Sequence, residues 1–265
     1  MRVRSLGFRT DLMVRRLADS EITDRGDHIV VRSPAAPNFY WGNFLLLSES
    51  CDLKDPEVWL DRFSDNLPAA RHVAIGWNGT STRALPGLEG LTTLGMELDL
   101  GTVMTAPQLL PPEGTAPRIA VRRLSSESEW RALHRLEEEL WAEENRDAPG
   151  YLEFLTSRVA ETRRLSEGGR GACFGVFEGD RLVSTAGVVC ANRVARFQNV
   201  ETRPDRRRRG LAGAVVAAAG AFSRERLGAG LLVIVADPAG PAISLYRRLG
   251  FQETEPQISL LRVPQ

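Results

Sequence analysis

The chain has 265 residues, of which 43% are hydrophobic, and this length suits two packed domains of ordinary size. Its 34 basic and 34 acidic residues cancel, so the composition gives no general attraction to nucleic acid or to an acidic membrane surface. The first residues contain no signal-peptide pattern, and no apolar run reaches membrane-spanning length. We therefore expect a cytoplasmic protein with neither a nucleic-acid nor a membrane partner.

The numbers of cysteine and lysine residues bear on the cellular compartment and on the source of the protein. Cys51, Cys173 and Cys190 are far apart in the sequence, with no C-x-x-C spacing and no nearby histidine pair. They predict buried thiols in a reducing compartment, with no disulfide and no metal site. Lys54 is the only lysine, and this bias towards arginine indicates a GC-rich, bacterial genome.

Residues 1–110 predict an N-terminal α+β domain. A helix begins near Pro56, because proline is favoured in the first turn, and it lies between strand-like runs. The strand-like runs are residues 29–31, 39–47, 72–77 and 91–103. Residues 107–117 contain four prolines and few periodic apolar positions, which predicts a semi-rigid linker before a second domain at residues 118–265.

The second domain begins with a predicted strand at residues 118–123 and two amphipathic helices. Ser126 and Glu129 form a capping-box pattern for the first helix, and Pro149 begins the second, which ends near Gly168. Two strands then form a hairpin through a Gly-Asp turn at residues 179–180. Later elements are a strand at 194–200, a helix at 210–222, a buried strand at 231–236, a helix ending at residue 250, and final strands.

A short basic segment, Arg203 to Gly213, follows the strand at 194–200 and extends into the first turn of the helix at 210–222. The free N–H groups of a first helical turn and the helix dipole favour an anion at this place. Gly210 and Gly213 leave the backbone open to a phosphate group. The segment has neither the Walker pattern nor the dinucleotide-binding glycine pattern.

The run Arg207-Arg208-Arg209-Gly210-Leu211-Ala212 resembles the acyl-CoA loop, [QR]-x-x-G-x-[GA], of the GCN5-related N-acetyltransferases. A second run, Leu245-Tyr246-Arg247-Arg248-Leu249-Gly250-Phe251, is similar to the family's L-Y-x-x-x-G-F segment. The resemblance implies an α/β (α+β) fold with a mixed central sheet flanked by helices, and an additional N-terminal α+β domain. Residues 1–110 are either a degenerate acetyltransferase-like domain without a phosphate loop or an unrelated cap.

The resemblance also implies that acetyl-CoA is the cosubstrate, without a metal. In the family, the pantetheine arm pairs with the fourth strand of the domain, and the pyrophosphate meets the N–H groups of the loop. The cofactor-binding residues implied here are Val200, Glu201, Thr202, Arg207, Arg208, Arg209, Gly210, Leu211, Ala212 and Gly213. Proline at position 204 ends the strand pairing, because it lacks an N–H donor.

Two catalytic residues follow from the resemblance. Tyr246 stands where the family places the acid that protonates the leaving thiolate. The family often has a glutamate base on the fourth strand, but Arg196 stands there in this chain. Glu201 is the remaining candidate base, acting through water, and a surface residue at a strand end is an equally valid interpretation.

The remaining charged residues have a simple interpretation and a functional one. The acidic helix residues 137–139 are typical of a solvated face, although in the family this region borders the acceptor site and could attract a cationic amine. His134 fits a solvated helix position. The run of arginines at 206–209 lacks interleaved aromatic residues, which argues against a nucleic-acid site.

The resulting hypothesis is an N-acetyltransferase that moves an acetyl group directly from acetyl-CoA to a primary amine of a small acceptor. The alternative is a non-catalytic module that binds acyl-CoA or a partner protein on the same fold. The sequence leaves a homodimer open.

Overall fold

The computed structural model describes residues 1–83, 88–110, 119–143 and 151–263. The chain divides into two compact units. The N-terminal unit comprises Met1–Val103, Val235–Pro238 and Glu253–Gln265, and the C-terminal unit comprises Met104–Ile234 and Ala239–Gln252. In the described ranges, no helix has the length and apolar content needed to cross a membrane.

Both units combine helices and strands. The helices are α1 (Leu6–Leu17), α2 (Glu57–Asn66), α3 (Glu89–Thr93), α4 (Glu127–Glu143), α5 (Tyr151–Glu167), α6 (Leu211–Glu225) and α7 (Ala242–Arg248). The strands are β1 (Glu21–Asp24), β2 (His28–Arg32), β3 (Phe44–Leu47), β4 (Val73–Trp77), β5 (Glu97–Ala106), β6 (Val121–Arg123), β7 (Gly171–Glu178), β8 (Arg181–Ala191), β9 (Val194–Thr202), β10 (Leu231–Ala236) and β11 (Gln252–Arg262). The predicted mixed α/β (α+β) class is confirmed.

The N-terminal unit contains a mixed sheet in the order β1-β2-β3-β4-β11-β5. Strands β3 and β4 are parallel, whereas β1–β2, β2–β3 and β4–β11 are antiparallel. Phe8 of α1 and Trp59 and Phe63 of α2 pack into the same apolar core as the strand residues Phe44 and Ile75. Such burial of aromatic and aliphatic side chains is the main stabilising contribution to the unit.

Three predictions for this unit need correction. Residues 40–42 form a 3-10 helix before β3, and residues 91–93 belong to α3, so neither segment is strand. Helix α1 was not predicted at all. Arg15 is buried on the same face as Phe8 and Leu12, and this charged residue at an apolar position masks the helical periodicity.

The C-terminal unit has the strand order β10-β9-β8-β7-β6. The pairs from β6 to β9 are antiparallel, and β9–β10 is parallel. Cys173 of β7 packs in a cluster with α4 and α5, whereas the ring of its neighbour Phe174 contacts Phe222 of α6. Because side chains alternate along a strand, α4 and α5 cover one face of this sheet and α6 covers the other.

Local signals in this unit are confirmed. Glu129 N–H donates to Ser126 Oγ, and the Glu129 carboxylate accepts from Ser126 N–H at 3.0 Å, which is a capping box at α4. Gly179 has φ of 61° in the turn between β7 and β8, and Gly169 has φ of 69° just after α5. Pro149 and most of the predicted linker lie outside the described residues.

The last strand pairs within the N-terminal unit. Strand β11 is antiparallel to β4, with Ile258 opposite Trp77 and Leu260 opposite Ile75. The sequence predicted these residues as part of the domain at 118–265, whereas their pairing is with the first part of the chain. The boundary at residues 110–118 stays a prediction.

Candidate active site

Strand β9 has one edge that is only partly paired. Its parallel register with β10 runs from Val194 opposite Leu231 to Arg196 opposite Val233, although β9 continues to Thr202. In the described residues, the edge of positions 197–202 that faces away from β8 has no strand partner. Backbone N–H and C=O groups on such an edge can pair with an extended ligand.

The same strand contains a β-bulge. On the β8 side, Gln198 lies opposite Gly187 and Glu201 lies opposite Thr185, so β9 has one extra residue between these pairs. Asn199 lies in this interval with φ of 47°, in the left-handed region that few non-glycine residues adopt. A bulge leaves a residue out of the ladder and redirects the strand, here in the middle of the open edge.

The basic segment after β9 ends at the N-terminus of α6. Pro204–Arg206 forms a 3-10 turn, after which Arg208 and Gly210 have φ of 64° and 80°. Gly210 is the N-cap of α6, and no side chain makes a capping hydrogen bond there. Left-handed residues beside a helix start direct several N–H groups into one concavity, which favours an anion.

Side chains of the basic segment divide into two groups. Arg203 is buried and pairs with Asp205 and Glu139, and Arg206 pairs with the Glu178 carboxylate at 2.9 Å. Arg207 and Arg208 are exposed, and neither pairs with a carboxylate within the part of the chain that the structure describes. These two guanidinium groups are therefore available to a phosphate, and Arg207 Nε also donates to Thr202 O at 3.3 Å.

Tyr246 lies on α7, and 4% of the residue is exposed. Its ring contacts Phe251 with centroids 6.0 Å apart, and Phe251 contacts Phe197 of β9 at 5.7 Å. Two ring contacts thus connect Tyr246 to the first residue of β9 beyond the register with β10. Burial raises the pKa of Tyr246 to about 12, so its hydroxyl keeps its proton at neutral pH.

Glu201 belongs to a group of charged side chains on the face covered by α4 and α5. Arg158 Nη2 of α5 lies 2.6 Å from Glu137 Oε2 of α4 and 4.0 Å from Glu201 Oε1. Arg158 Nη1 donates to Asn199 Oδ1 at 3.2 Å. We call these four residues the Arg158 cluster.

Charges in the Arg158 cluster are largely out of water. The Glu137 side chain is 1% exposed and that of Arg158 is 19% exposed. Burial raises the pKa of Glu137, and the Arg158 charge only partly opposes this. Burial by itself would lower the pKa of Arg158, but the carboxylates of Glu137 and Glu201 outweigh it, so the guanidinium stays charged.

Several sequence interpretations change at this point. The acidic helix was expected to be solvated, but Glu137 is buried inside the unit. Arg196, at the position of the family's glutamate, is buried at 8% exposure. His134 is on the surface, where its Nε2 lies 3.1 Å from Thr156 Oγ1 and its Nδ1 lies 3.3 Å from Glu138 Oε2.

The implied cofactor residues lie together in the C-terminal unit. Val200, Glu201 and Thr202 are on the open edge of β9, and residues 207–213 form the loop and the first turn of α6. The sequence did not reveal Asn199, Arg158 or Glu137 as members of the site. Only the isolated arginine among the apolar positions of α5 gave a signal for Arg158, since such a residue needs a buried partner.

Residues 173–259 match the model of a sequence family described as FR47-like protein. No curated protein sequence matches the chain. Among solved structures, a GCN5-related N-acetyltransferase from Kribbella flavida superposes with a TM-score of 0.61 at 17% identity, covering 94% of this chain and 95% of that one. The resemblance given by the loop is thereby confirmed for the fold. The chain has the GCN5-related N-acetyltransferase fold.

Two further structures extend this likeness. A GCN5-related N-acetyltransferase from Sphaerobacter thermophilus has a TM-score of 0.59 at 18% identity and covers 91% of this chain and 82% of that one. A tandem protein of this fold from the clavulanic acid biosynthesis pathway has a TM-score of 0.55 at 12% identity, covering 95% and 88%. Because the likeness spans both halves of the chain, it favours an acetyltransferase-like N-terminal domain over an unrelated cap.

Proposed function

We propose that this protein is an N-acetyltransferase that uses acetyl-CoA to acetylate a primary amine of a small acceptor by direct transfer. The observation that carries the proposal is the combination, in one unit, of a β9 strand that continues beyond its register with β10 and the N–H-rich turn that follows it. An extended amide chain ending in a pyrophosphate needs both features. Each alone is common in α/β proteins.

Acetyl-CoA fits the described residues of the C-terminal unit. Where β9 continues beyond its register with β10, its backbone can pair with the pantetheine amides, and the first turn of α6 offers N–H groups to the pyrophosphate. Among the described residues, a Cβ atom added at Gly210 would meet Ile119 Cδ1 alone, at an ordinary contact distance of 3.6 Å. Exposed Arg207 and Arg208 can pair with the ribose phosphate.

When bound, acetyl-CoA supplies a thioester-activated acetyl group. The acceptor nitrogen forms a bond to the acetyl carbon as the carbon–sulfur bond breaks, and the amine proton leaves while the thiolate gains one. The Tyr246 hydroxyl, which is protonated at neutral pH, donates a hydrogen bond to the departing sulfur and gives it this proton. Glu201, half-buried at the strand end, takes the amine proton through water.

One observation supports the alternative, a non-catalytic module. The position of the family's base holds buried Arg196, and the Glu201 carboxylate faces the Arg158 guanidinium at 4.0 Å instead of being free for an amine. A site of this kind could bind acyl-CoA without activating an amine. The cytoplasmic location and bacterial source remain predictions from the sequence.

The test is a panel of primary amines with acetyl-CoA, following release of the CoA thiol, together with calorimetric titration of acetyl-CoA. Turnover with at least one amine, and binding by the wild-type protein, are the expected results. Binding without turnover on any amine would favour the non-catalytic module. Absence of binding would contradict the acetyltransferase and leave only a module that binds a partner protein.

A further inference from the structure

We infer that Arg158 is a positioning residue that fixes the bulged segment of β9, residues 198–201, in the shape needed for acyl transfer, and that Glu137 holds Arg158 in place. The catalytic part of this inference rests on the proposed function. Its structural part concerns the protein without ligand. Nothing in the acyl-CoA loop pattern or in the Tyr246 segment points to these two residues.

The geometry gives Arg158 contacts on both sides of the bulge. Its Nη1 donates to Asn199 Oδ1 at 3.2 Å, and its Nη2 faces Glu201 Oε1 at 4.0 Å. Asn199 is the residue in the left-handed conformation. Glu201 is the residue at which the regular register with β8 resumes. One planar guanidinium therefore connects to the start and to the end of the irregular part of β9.

Glu137 explains why the guanidinium stays in this position. Its carboxylate is 2.6 Å from Arg158 Nη2 and belongs to a side chain only 1% exposed. A charge pair buried to this degree is held by mutual attraction, because neither partner can exchange its contact for water. Helices α4 and α5 are thereby joined to the bulge through charge-assisted contacts.

The bulge itself requires such support. An asparagine with φ of 47° is in a conformation that costs energy relative to an extended residue, and the contact of its side chain with Arg158 favours it. The bulge lies in the part of β9 proposed to receive the thioester. A displacement of about 1 Å at a reacting centre can reduce the rate about 10²-fold.

The decisive experiment compares Arg158→Met and Arg158→Lys with a control, Arg163→Met. Arg163 is on the same helix but forms surface ion pairs with Glu127 and Glu167. Hydrogen exchange of the unliganded proteins is measured for segments 196–203 and 207–216. We expect faster exchange in 196–203 for both Arg158 variants, an unchanged 207–216 segment, and no effect of Arg163→Met in 196–203.

Kinetics on an accepted amine supply the second measurement. Arg158→Met should lower kcat by about 10²-fold while the acetyl-CoA Kd changes by less than about threefold, since the pyrophosphate contacts are elsewhere. Arg158→Lys should restore folding but not kcat, because one ammonium group cannot reproduce the forked contacts. A purely structural role would instead lower the melting temperature and leave kcat per folded molecule unchanged.

A second variant protects the test against misfolding. Removing Arg158 alone leaves the Glu137 carboxylate buried without its partner, so the double variant Glu137→Gln, Arg158→Met is examined beside it. Normal exchange of 196–203 in a folded Arg158 variant overturns the inference, whether or not an acceptor has been found. Failure of the wild-type protein to bind acetyl-CoA would instead count against the proposed function alone.

Discussion

The N-termini of α1 and α6 show two ways to complete a helix start. At α1, Ser5 Oγ accepts from Phe8 N–H, and the Glu255 carboxylate accepts from the N–H groups of Leu6 and Gly7. At α6, the N-cap is Gly210, which is exposed and has no side chain with which to cap the turn. Each helix has the same free N–H groups and the same dipole direction.

The difference shows what a helix end needs in order to bind an external anion. In the N-terminal unit, a carboxylate of the chain itself satisfies the donors of α1, and the helix end has a structural role. In the C-terminal unit, Gly210 at the start of α6 is exposed, and the exposed Arg207 and Arg208 beside it have no carboxylate partner among the described residues. A helix N-terminus whose N–H groups bond to side chains of the protein stabilises the fold, whereas an uncapped N-terminus keeps its N–H groups for a ligand.

The largest effect should come from closing the open helix start with a negative charge. Ala212→Glu places a carboxylate in the first turn of α6, where at about 4 Å from a phosphate the repulsion reaches about 4 kcal/mol, or roughly 10³-fold in acetyl-CoA Kd. Calorimetry of acetyl-CoA binding measures this. Ala221→Glu, on the exposed part of the same helix, is the control and should bind normally. Unchanged affinity in folded Ala212→Glu would remove the loop from the binding site.

Tyr246→Phe tests the other end of the same site. If the hydroxyl assists the leaving thiolate, kcat should fall by about 10²-fold, the lower end of general acid catalysis, because a pKa of about 12 makes the phenol a weak acid. Acetyl-CoA affinity and melting temperature should change little. Tyr40→Phe, in the N-terminal unit, is the matched control. Full turnover by Tyr246→Phe on an accepted amine would reduce this tyrosine to a packing role.

Alkaline unfolding should also depend on Tyr246. Its folded-state pKa of about 12 exceeds the ordinary value of 10.0, so the stability it contributes is complete below pH 10 and is lost as the pH rises through 12. The loss amounts to about 2–3 kcal/mol at most. Urea unfolding between pH 9 and 12 measures it, and Tyr246→Phe should show a shallower decline.

Cys173 is the necessary comparison in that experiment. Burial also raises the pKa of the Cys173 thiol to about 12. Its ionisation in the unfolded state therefore reduces the stability of the fold as the pH rises towards 12. Cys173→Ala therefore accompanies Tyr246→Phe. If neither substitution changes the alkaline slope, burial of these two groups does not control alkaline stability.

The smallest effect is expected where the helix start is already closed. Glu255→Gln keeps an acceptor at the start of α1 but removes the charge, which should cost about 1 kcal/mol of unfolding free energy. Thermal unfolding measures this loss against Glu97→Gln, an exposed site in the same unit. Acetyl-CoA should still bind once per chain, because the sequence of residues 1–110 has no glycine-rich loop between a strand and a helix. A second equivalent of bound acetyl-CoA would contradict the contrast between the two helix starts.

Local sequence patterns correctly predicted several elements of the C-terminal unit. The capping box at Ser126, the hairpin at residues 179–180 and the loop before α6 depend on residues that are near one another in the chain, so their sequence carries the signal. In the N-terminal unit the same approach missed α1 and assigned residues 91–93 to a strand. There the apolar periodicity is weak, and tertiary packing decides which face is buried.

By itself, then, the sequence determined the fold class, and it located the predicted acyl-CoA loop and Tyr246, since the pattern of each lies in a short contiguous segment. Tertiary structure alone decided that Glu137 is buried, that Arg158 reaches Asn199, and that Glu255 closes α1 from the far end of the chain. The physical reason is that a side chain's charge partner is chosen by packing across elements. Residues brought together from distant parts of the chain leave no pattern in the sequence around either one.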